Sequence, residues 1–346
     1  MKYLTLTVPC YNSEDYMERC IDSLVTGGDD VEVIIVDDGS TDRTAAIADS
    51  YQDRYPGIVK VVHKENGGHG SGVNKGLELA TGKYFKVVDS DDWFDQEAYQ
   101  ALLHKIREFT DNAEYLNRKS MPDLFLCNFV YDHLDAGYQH PVNYRNVFRP
   151  GQICGWNDIR HFRPNQYLIM HAMTYRTEIV RKSGVVLPEH MFYVDNIFAY
   201  QPLPFIQTIY YLDVDLYHYY LGRDDQSVNP KMLMKRIDQQ LYVTNLVARL
   251  VDLDEIERIY PKLATYMLRN ISIMISISTI HLLLISTDES YQKRKDMWTG
   301  IREYDENLFY KLRRRTLSGL TVVPGRWGGK IVVTGYKIAN KIYDFQ

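Results

Sequence analysis

Four apolar runs in the first hundred residues, each leading into a segment of helical character, constrain this chain more than any other feature. "YLTLTVP" leads to "SEDYMERCIDSLV", and "VEVIIVDDGS" to "TDRTAAIADSYQDRY". "IVKVVHKENGG" leads to "SGVNKGLELA", and "YFKVVDSDD" to "QEAYQALLHKIREF". Strands alternating with helices at this spacing build βαβ units, so an α/β fold around a parallel sheet is expected. Ser13 is the candidate cap of the first helix. In open sheets of this kind, ligands bind beyond the carboxyl ends of the strands. Tyr11, Asn12, Asp37, Asp38, Asn66 and the Asp89-Ser90-Asp91-Asp92 run all stand at such ends. Four strands thus present polar groups to one crevice.

Near Pro122 the pattern changes. "DLFLCNFVYDH" reads as a further strand, "YVDNIFAYQPL" as a helix start and "TIYYLDVDLYHYYL" as a pair of strands. From Lys231 to about Leu320 the spacing of apolar residues is helical. "ISIMISISTIHLLLIST", Ile271 to Thr287, falls short of the ~20 apolar residues that span a bilayer and reads as a buried helix. The opening "MKYLTLTVPCYN" is too short and too broken for a secretory segment.

Charge and cysteine content narrow the function classes. A net charge of −5 argues against a general nucleic-acid binder. Cys10, Cys20, Cys127 and Cys154 form no CxxC pair, which fits a reducing, cytoplasmic setting. The charge is unevenly spread. From Lys311 onward, Lys311, Arg313, Arg314, Arg315, Arg326, Lys330, Lys337 and Lys341 face only Asp344, which leaves residues 1–310 at −12.

The motifs carry chemistry beyond what local structure needs. In "VIIVDDGSTDRT", one Asp or Ser could cap the next helix, but capping does not explain the adjacent Asp37 and Asp38. Carboxylates there can accept bonds from ribose hydroxyls or a base N–H. "ENGGHGSGVNKG" follows a strand and is Gly-rich, yet Val73 and Lys75 break both dinucleotide registers, and no Gly-Lys-Ser/Thr is present. Lys75 serves a diphosphate or is merely a solvated helix residue. In "DSDD", aspartates two residues apart at a strand end suit Mg²⁺ or Mn²⁺, which bind one or two carboxylates plus substrate phosphates. An acidic helix cap before Gln96 would use one Asp, not three.

Taken in order, "VPCYNSEDYMERCIDSLV", "VEVIIVDDGSTDRT" and "NGG…NKGLELATGKYFKVVDSDDW" resemble glycosyltransferase family 2, whose members have the GT-A fold. The match is close over residues 3–110 and looser to about 230. The resemblance implies a nucleotide-sugar donor, usually UDP-linked, a divalent metal (Mn²⁺ or Mg²⁺), and inversion at the anomeric carbon. It places Pro9 and Tyr11 beside the base, Asp38 with Asp37 on base and ribose, and Asn66, Gly68, Lys75 and Ser90 around the donor. Asp89 and Asp91 match the family's Asp-x-Asp, with Asp91 as the metal ligand and Asp92 in support. The catalytic base falls in "HMFYVDNIFAYQPL", where Asp195 fits and Val194 replaces the usual preceding Glu. A plain helix cap is the alternative for Asp195, and His190 is a reserve candidate. "YYLGRDDQSVNP" resembles the segment in which Arg223 or Ser227 would close the site.

The expected architecture is a GT-A domain over 1–225, divided at 110 into donor-nucleotide and acceptor halves. A helical region, 226–310, and a basic amphipathic tail, 311–346, follow. In that tail Ile331, Gly335, Ile338 and Ile342 share one helical face and Lys330, Lys337 and Lys341 another, which suits an anionic membrane surface or docking on the protein body. The Gln-x-x-Arg-Trp of processive synthases is absent and "GRWGG" does not supply it. The expectation is a single-sugar transferase acting on a glycan or lipid-linked acceptor in cell-surface polysaccharide synthesis. A catalytically inactive glycan-binding or scaffold protein is the alternative. A nucleotidyltransferase would need a Gly-rich Arg-Lys signature that "VPCYNSED" lacks. The sugar, the acceptor, the linkage and any homo-oligomeric state are not legible.

Overall fold

A computed structural model describes residues 1–115, 121–134, 137–164, 166–222, 230–322 and 328–336. The chain divides into two compact units, the first comprising 1–161 and 168–222, the second 162–167 and 223–346. The second unit takes up the chain from 223 and also includes the short segment 162–167. The expected helical region and tail share one unit.

The first unit is a mixed sheet with helices packed on it. Its strands are β1 (Leu4–Cys10), β2 (Val31–Asp37), β3 (Val59–His63), β4 (Tyr84–Val87), β5 (Trp93–Phe94), β6 (Leu124–His133), β7 (Tyr138–Val142), β8 (Ile153–Cys154), β9 (Met173–Arg176) and β10 (Ile209–Tyr220). The order is β3-β2-β1-β4-β9-β6-β10-β5, with β7 on β6 and β8 on β10. The βαβ portion β3-β2-β1-β4 is parallel throughout. Beyond it, β9 runs antiparallel to both β4 and β6. The expected parallel half is therefore present, extended by an antiparallel insertion.

Helices α1 (Met17–Val25), α2 (Thr44–Arg54), α3 (His69–Leu79), α4 (Gln96–Tyr115), α5 (Thr177–Lys182) and α6 (Asp195–Tyr200) complete this unit. Helix α1 starts later than expected: Ser13 is not its cap, because its backbone carbonyl accepts Tyr16 and Met17 in a turn ahead of the helix. Helix α3 lies flush on β1, and a Cβ at Gly76 would sit 1.9 Å from Thr7 Oγ1. Strands β1 and β2 are buried along nearly their whole length, as a sheet covered on both faces requires.

The stretch read as two strands is a single one. Strand β10 runs twelve residues, with register shifts at Asp215. Asn128 Nδ2 on β6 donates to Asp213 at 3.0 Å and Asp215 at 2.9 Å. These bonds carry the polar "DVD" through a bulge where a turn was expected.

The second unit is helical: α7 (Pro230–Lys235), α8 (Ile237–Val247), α9 (Leu253–Ile259), α10 (Pro261–Ile285), α11 (Asp288–Tyr304) and α12 (Glu306–Arg315), with residues 328–336 also helical. Ile271–Thr287 falls largely in α10, whose 25 residues have the length and composition to cross a membrane, with mean hydropathy 1.7. Half of that apolar window is buried inside the protein. Ser278 Oγ bonds back to Met274 O at 2.8 Å, so its hydroxyl is satisfied within the helix. Gly329 lies close against α10 and α11, where an added Cβ would meet Leu283 and Tyr291. Of the tail's two expected faces, Lys337, Ile338, Lys341 and Ile342 lie outside the described residues, as do Arg326 and, in the site-closing segment, Arg223 and Ser227.

Candidate active site

The strand ends of β1, β2 and β4 bring the first three motifs together. Ser13 Oγ after β1 meets Ser90 Oγ after β4 at 2.8 Å. Asn12, in the left-handed region at φ 49°, accepts the Thr41 amide through Oδ1 at 2.9 Å. Tyr11 is left 53% exposed at the tip of β1. Pro9 is tolerated in this inner strand because β4 pairs only with Leu4–Thr7, so the proline lies past that ladder. It is buried, and a Cβ at Gly72 would meet it at 2.8 Å. Pro9 therefore seats α3.

Asp37 and Asp38 are both buried, with distinct partners. Asp38 accepts Lys64 Nζ at 2.7 Å, the Gly67 amide at 2.9 and 3.1 Å and the Gly68 amide at 2.7 Å. Those bonds use nearly all of a carboxylate's acceptor capacity. Asp38 thus holds the Gly-rich turn into α3, and Asn66 Nδ2 donates to the Asp38 carbonyl at 2.9 Å. Gly68, at φ 83°, is the residue before α3, and a Cβ there would press on the His190 backbone at 3.0 Å. Asp37 accepts the Ser40 amide at 3.1 Å and His63 Nδ1 at 2.8 Å, which leaves acceptor capacity at the strand end. Lys75 pairs with Glu78 of the same helix at 2.7 Å.

The Asp89–Asp92 run does not cap α4; Asp95 Oδ1 does, accepting the Ala98 amide at 2.9 Å. Asp92 is fully buried and accepts the Tyr217 hydroxyl at 2.6 Å and the Tyr220 amide at 2.8 Å. Burial, then Asp91 and Asp89, lift its carboxyl well above the usual range. Asp89 is pushed up by burial, but His69 outweighs that and draws it below its ordinary value. His69 Nε2 lies 2.9 Å from Asp89 Oδ1. Burial disfavours a charged His69 ring, yet Asp89, Asp195 and Asp91 raise it overall. The Asp91 carbonyl accepts Arg19 at 3.0 Å, and Arg19 stacks over Trp93 at 3.7 Å.

Asp195 is the first residue of α6, half-buried, while the cap position belongs to Val194, which makes no side-chain cap bond. Burial holds its carboxyl above the ordinary carboxylate value; His69 opposes this and Asp89 reinforces it. Asp195, His69 and Asp89 thus share one electrostatic neighbourhood. The preceding loop is stapled to the Gly-rich turn by His190 N to Gly67 O at 2.6 Å, and Asn74 is paired in both directions with Leu187. His190 and Tyr193 both adopt positive φ, at 51° and 65°. Non-glycine residues held there are strained, and such strain clusters at functional sites.

Three residues of this site escaped the sequence reading. His69 is the first residue of α3, and a histidine opening a helix after a Gly-Gly turn was its only signal. Lys86 is fully buried on β4, donating to the carbonyls of His171 at 2.5 Å and Met173 at 3.2 Å. Burial depresses its pKa to about 7. A lysine inside the apolar run "YFKVV" was the visible clue. His171, in the apolar stretch before β9, had no usable signal. Burial lowers its pKa to about 4, with Lys86 and His69 adding and Asp89 opposing, so the ring is neutral.

Polar groups at the ends of a parallel sheet, with clustered carboxylates of which Asp92 and Asp195 are raised by burial, suit the active site of a group-transfer enzyme. The model of the family described as glycosyl transferase family 2 matches residues 5–146. An uncharacterized glycosyltransferase of Mycoplasma pneumoniae, the MG025 homolog, is 30% identical over 239 residues, covering 65% of this chain and 70% of that protein. EpsH of Bacillus subtilis is 27% identical over 292 residues, 78% of this chain and 75% of EpsH. Among solved structures, residues 1–349 of TarS from S. aureus superpose with a TM-score of 0.65 at 18% identity, covering 98% of this chain and 92% of that one. That likeness shows the shared GT-A fold. The chain belongs to glycosyl transferase family 2, and it is a glycosyltransferase.

Proposed function

We propose that this enzyme moves one sugar, with inversion, from a UDP-linked donor to a hydroxyl of a glycan or lipid-linked acceptor during cell-surface polysaccharide synthesis. The observation that carries this reading is Asp195: a half-buried carboxyl, raised by burial, that shares its surroundings with Asp89 and His69. A general base works best when its pKa is lifted toward the working pH. Asp195 takes the proton from the acceptor hydroxyl as that oxygen bonds to the anomeric carbon. The bond from that carbon to the diphosphate oxygen breaks in the same displacement, and the nucleoside diphosphate leaves.

Tyr11 offers the exposed ring for the base, and Asp37 the remaining acceptor capacity for the nucleoside. Asp38, Asn66 and Gly68 shape the turn that opens α3. A divalent ion fits the donor set: oxygens of Asp89 and Asp92 and a nitrogen of His171 all lie within 4.8 Å of one another. Asp91 stands beside them as a further carboxylate. When bound, such an ion supplies positive charge for the leaving diphosphate.

The nature of donor and acceptor rests on relatives. A Bacillus spizizenii protein named poly(ribitol-phosphate) beta-glucosyltransferase is 39% identical over 99 residues, 28% of this chain and 16% of that one. Two TarS structures are complexes, one with UDP and one with UDP-GlcNAc. In the helical unit, Leu317 and Leu320, 61% and 72% exposed, closely follow the exposed Arg313, Arg314 and Arg315 in the chain, and Ile331 is 66% exposed. That combination supports a peripheral place on an anionic membrane surface at its cytoplasmic face. Loss of liposome binding on deleting 311–346 is the expected result; equal partitioning would assign the tail a structural role.

The direct test is calorimetric titration with UDP, GDP and their sugar conjugates, first with Mn²⁺ and then with EDTA. Metal-dependent binding of one UDP-sugar is expected. Binding of a GDP conjugate alone, or binding indifferent to EDTA, would overturn the donor or the metal assignment respectively.

A further inference from the structure

His171 is 7% exposed, with its ring stacked on Tyr219 and tilted against Tyr217, each centroid 4.7 Å away. Those ring contacts do not satisfy its polar edge. Its Nδ1 is buried and has no hydrogen-bond partner among the described residues. A buried polar atom left in that state calls for an explanation. Two carboxylates supply one, because a ring nitrogen of His171 lies within 4.8 Å of oxygens of both Asp89 and Asp92. Ligands on opposite sides of one ion are separated by about 4–5 Å, twice a bond of about 2.0–2.5 Å. Asp89 and Asp92 sit on the loop after β4, and His171 precedes β9, the neighbouring strand, so the sheet itself aligns them.

We infer that His171 is a nitrogen ligand of the divalent ion, completing a site with Asp89 and Asp92 that takes a first-row transition ion such as Mn²⁺ in preference to Mg²⁺. This rests on the metal-dependent reading above and goes beyond the acidic motif, which supplies only oxygen. The chemistry of the donors carries the preference, since Mg²⁺ favours oxygen and water, whereas imidazole favours transition ions. The charged groups acting on the ring are His69 and Lys86, which disfavour its protonation, and Asp89, which favours it.

The test is pulsed electron paramagnetic resonance of Mn²⁺ bound to the full chain with UDP, using protein labelled with ¹⁵N-histidine. Expected is a coupling from a directly bound imidazole nitrogen that changes with the label. It should persist in His69→Asn and vanish in His171→Phe, where the ring still fills the tyrosine stack. Mn²⁺ affinity should fall tenfold or more in His171→Phe, while Mg²⁺ affinity changes less. Should His171→Phe not fold, the labelled wild type and His69→Asn still decide the matter. Mn²⁺ bound without histidine coupling would overturn this inference alone and leave the metal-dependent reading standing. Coupling that vanishes in His69→Asn would overturn it in favour of His69. Absence of Mn²⁺ binding altogether would overturn both.

Discussion

The Tyr217 hydroxyl donates to Asp92 Oδ2 at 2.6 Å while accepting the Asp89 amide at 3.1 Å. One side chain from β10 therefore grips both ends of the acidic loop that follows β4. The bond matters because Asp92 is fully buried, and an unpaired carboxyl there would bear its whole desolvation cost.

Tyr217→Phe should lower unfolding stability by about 1–3 kcal/mol, the usual cost of stranding a buried polar group. Denaturant unfolding measures this. It should also weaken Mn²⁺-dependent UDP binding, because the loop loses its anchor. Stability equal to wild type would mean that Tyr220 alone holds Asp92.

Asp195→Asn should retain UDP affinity and lose about 10²–10⁴-fold in turnover, the range attributed to a positioned base. In the wild type, kcat should fall on acidification through a pKa above the ordinary aspartate value of about 3.9. The base must be ionised to act, so activity lies on the alkaline side of that limb. A variant with turnover intact would leave Asp195 as a first-turn helix residue only.

Lys86 gives the fold a pH signature. Its folded pKa of about 7 lies below the ordinary lysine value of 10.5, so between those values the unfolded chain binds the extra proton. Stability therefore rises with pH from about 7 to 10.5, and on acidification this contribution is lost across that window, completely by about pH 7. Lys86→Met should flatten the rise between pH 7 and 9, read from denaturant midpoints. An unchanged slope would show that the ammonium stays charged in the native state.

Gly76→Ala should destabilise the donor-binding half by about 1–3 kcal/mol, the range for overpacking a tight contact. The added Cβ would meet Thr7 Oγ1 at 1.9 Å, and α3 would have to lift from β1. Thermal unfolding of the full chain reads this out. A neutral result would mean that the helix shifts without loss of packing.

Asp38→Ala should weaken UDP binding without Asp38 itself touching the nucleotide. Its carboxylate holds Lys64, Gly67 and Gly68, and without it the turn into α3 loses its form. Asp38→Asn should recover only part of the affinity, since an amide offers fewer acceptors than a carboxylate. Equal affinity in both variants and the wild type would sink this role.

Much of the site was legible because strand ends and loops announce themselves. Asp37, Asp38, Asn66 and the Asp89–Asp92 run lie where βαβ alternation puts them. Their roles were less legible, because a carboxylate that organises a turn and one that meets a ligand look identical in sequence. Asp38 is taken up by the Gly-rich turn, Asp92 accepts from Tyr217 while also belonging to the candidate metal set, and Lys75 pairs with Glu78 on its own helix. The strand β10 was read as two because its "DVD" resembles a turn, whereas Asn128 from another strand bonds both aspartates.

By itself, the sequence determined the parallel βαβ half, the crevice at its strand ends and the acidic loop, all set by periodicity and residue order within short windows. Only the tertiary structure decided which positive and neutral groups meet those aspartates. His69 and His171 reach them from α3 and the segment before β9, while Lys86 on β4 holds the His171 carbonyl. Pairing β9 between β4 and β6 is a long-range event that no local pattern encodes. Burial then does the rest. Removed from water, the same side chains acquire altered charge states that composition and spacing could not reveal.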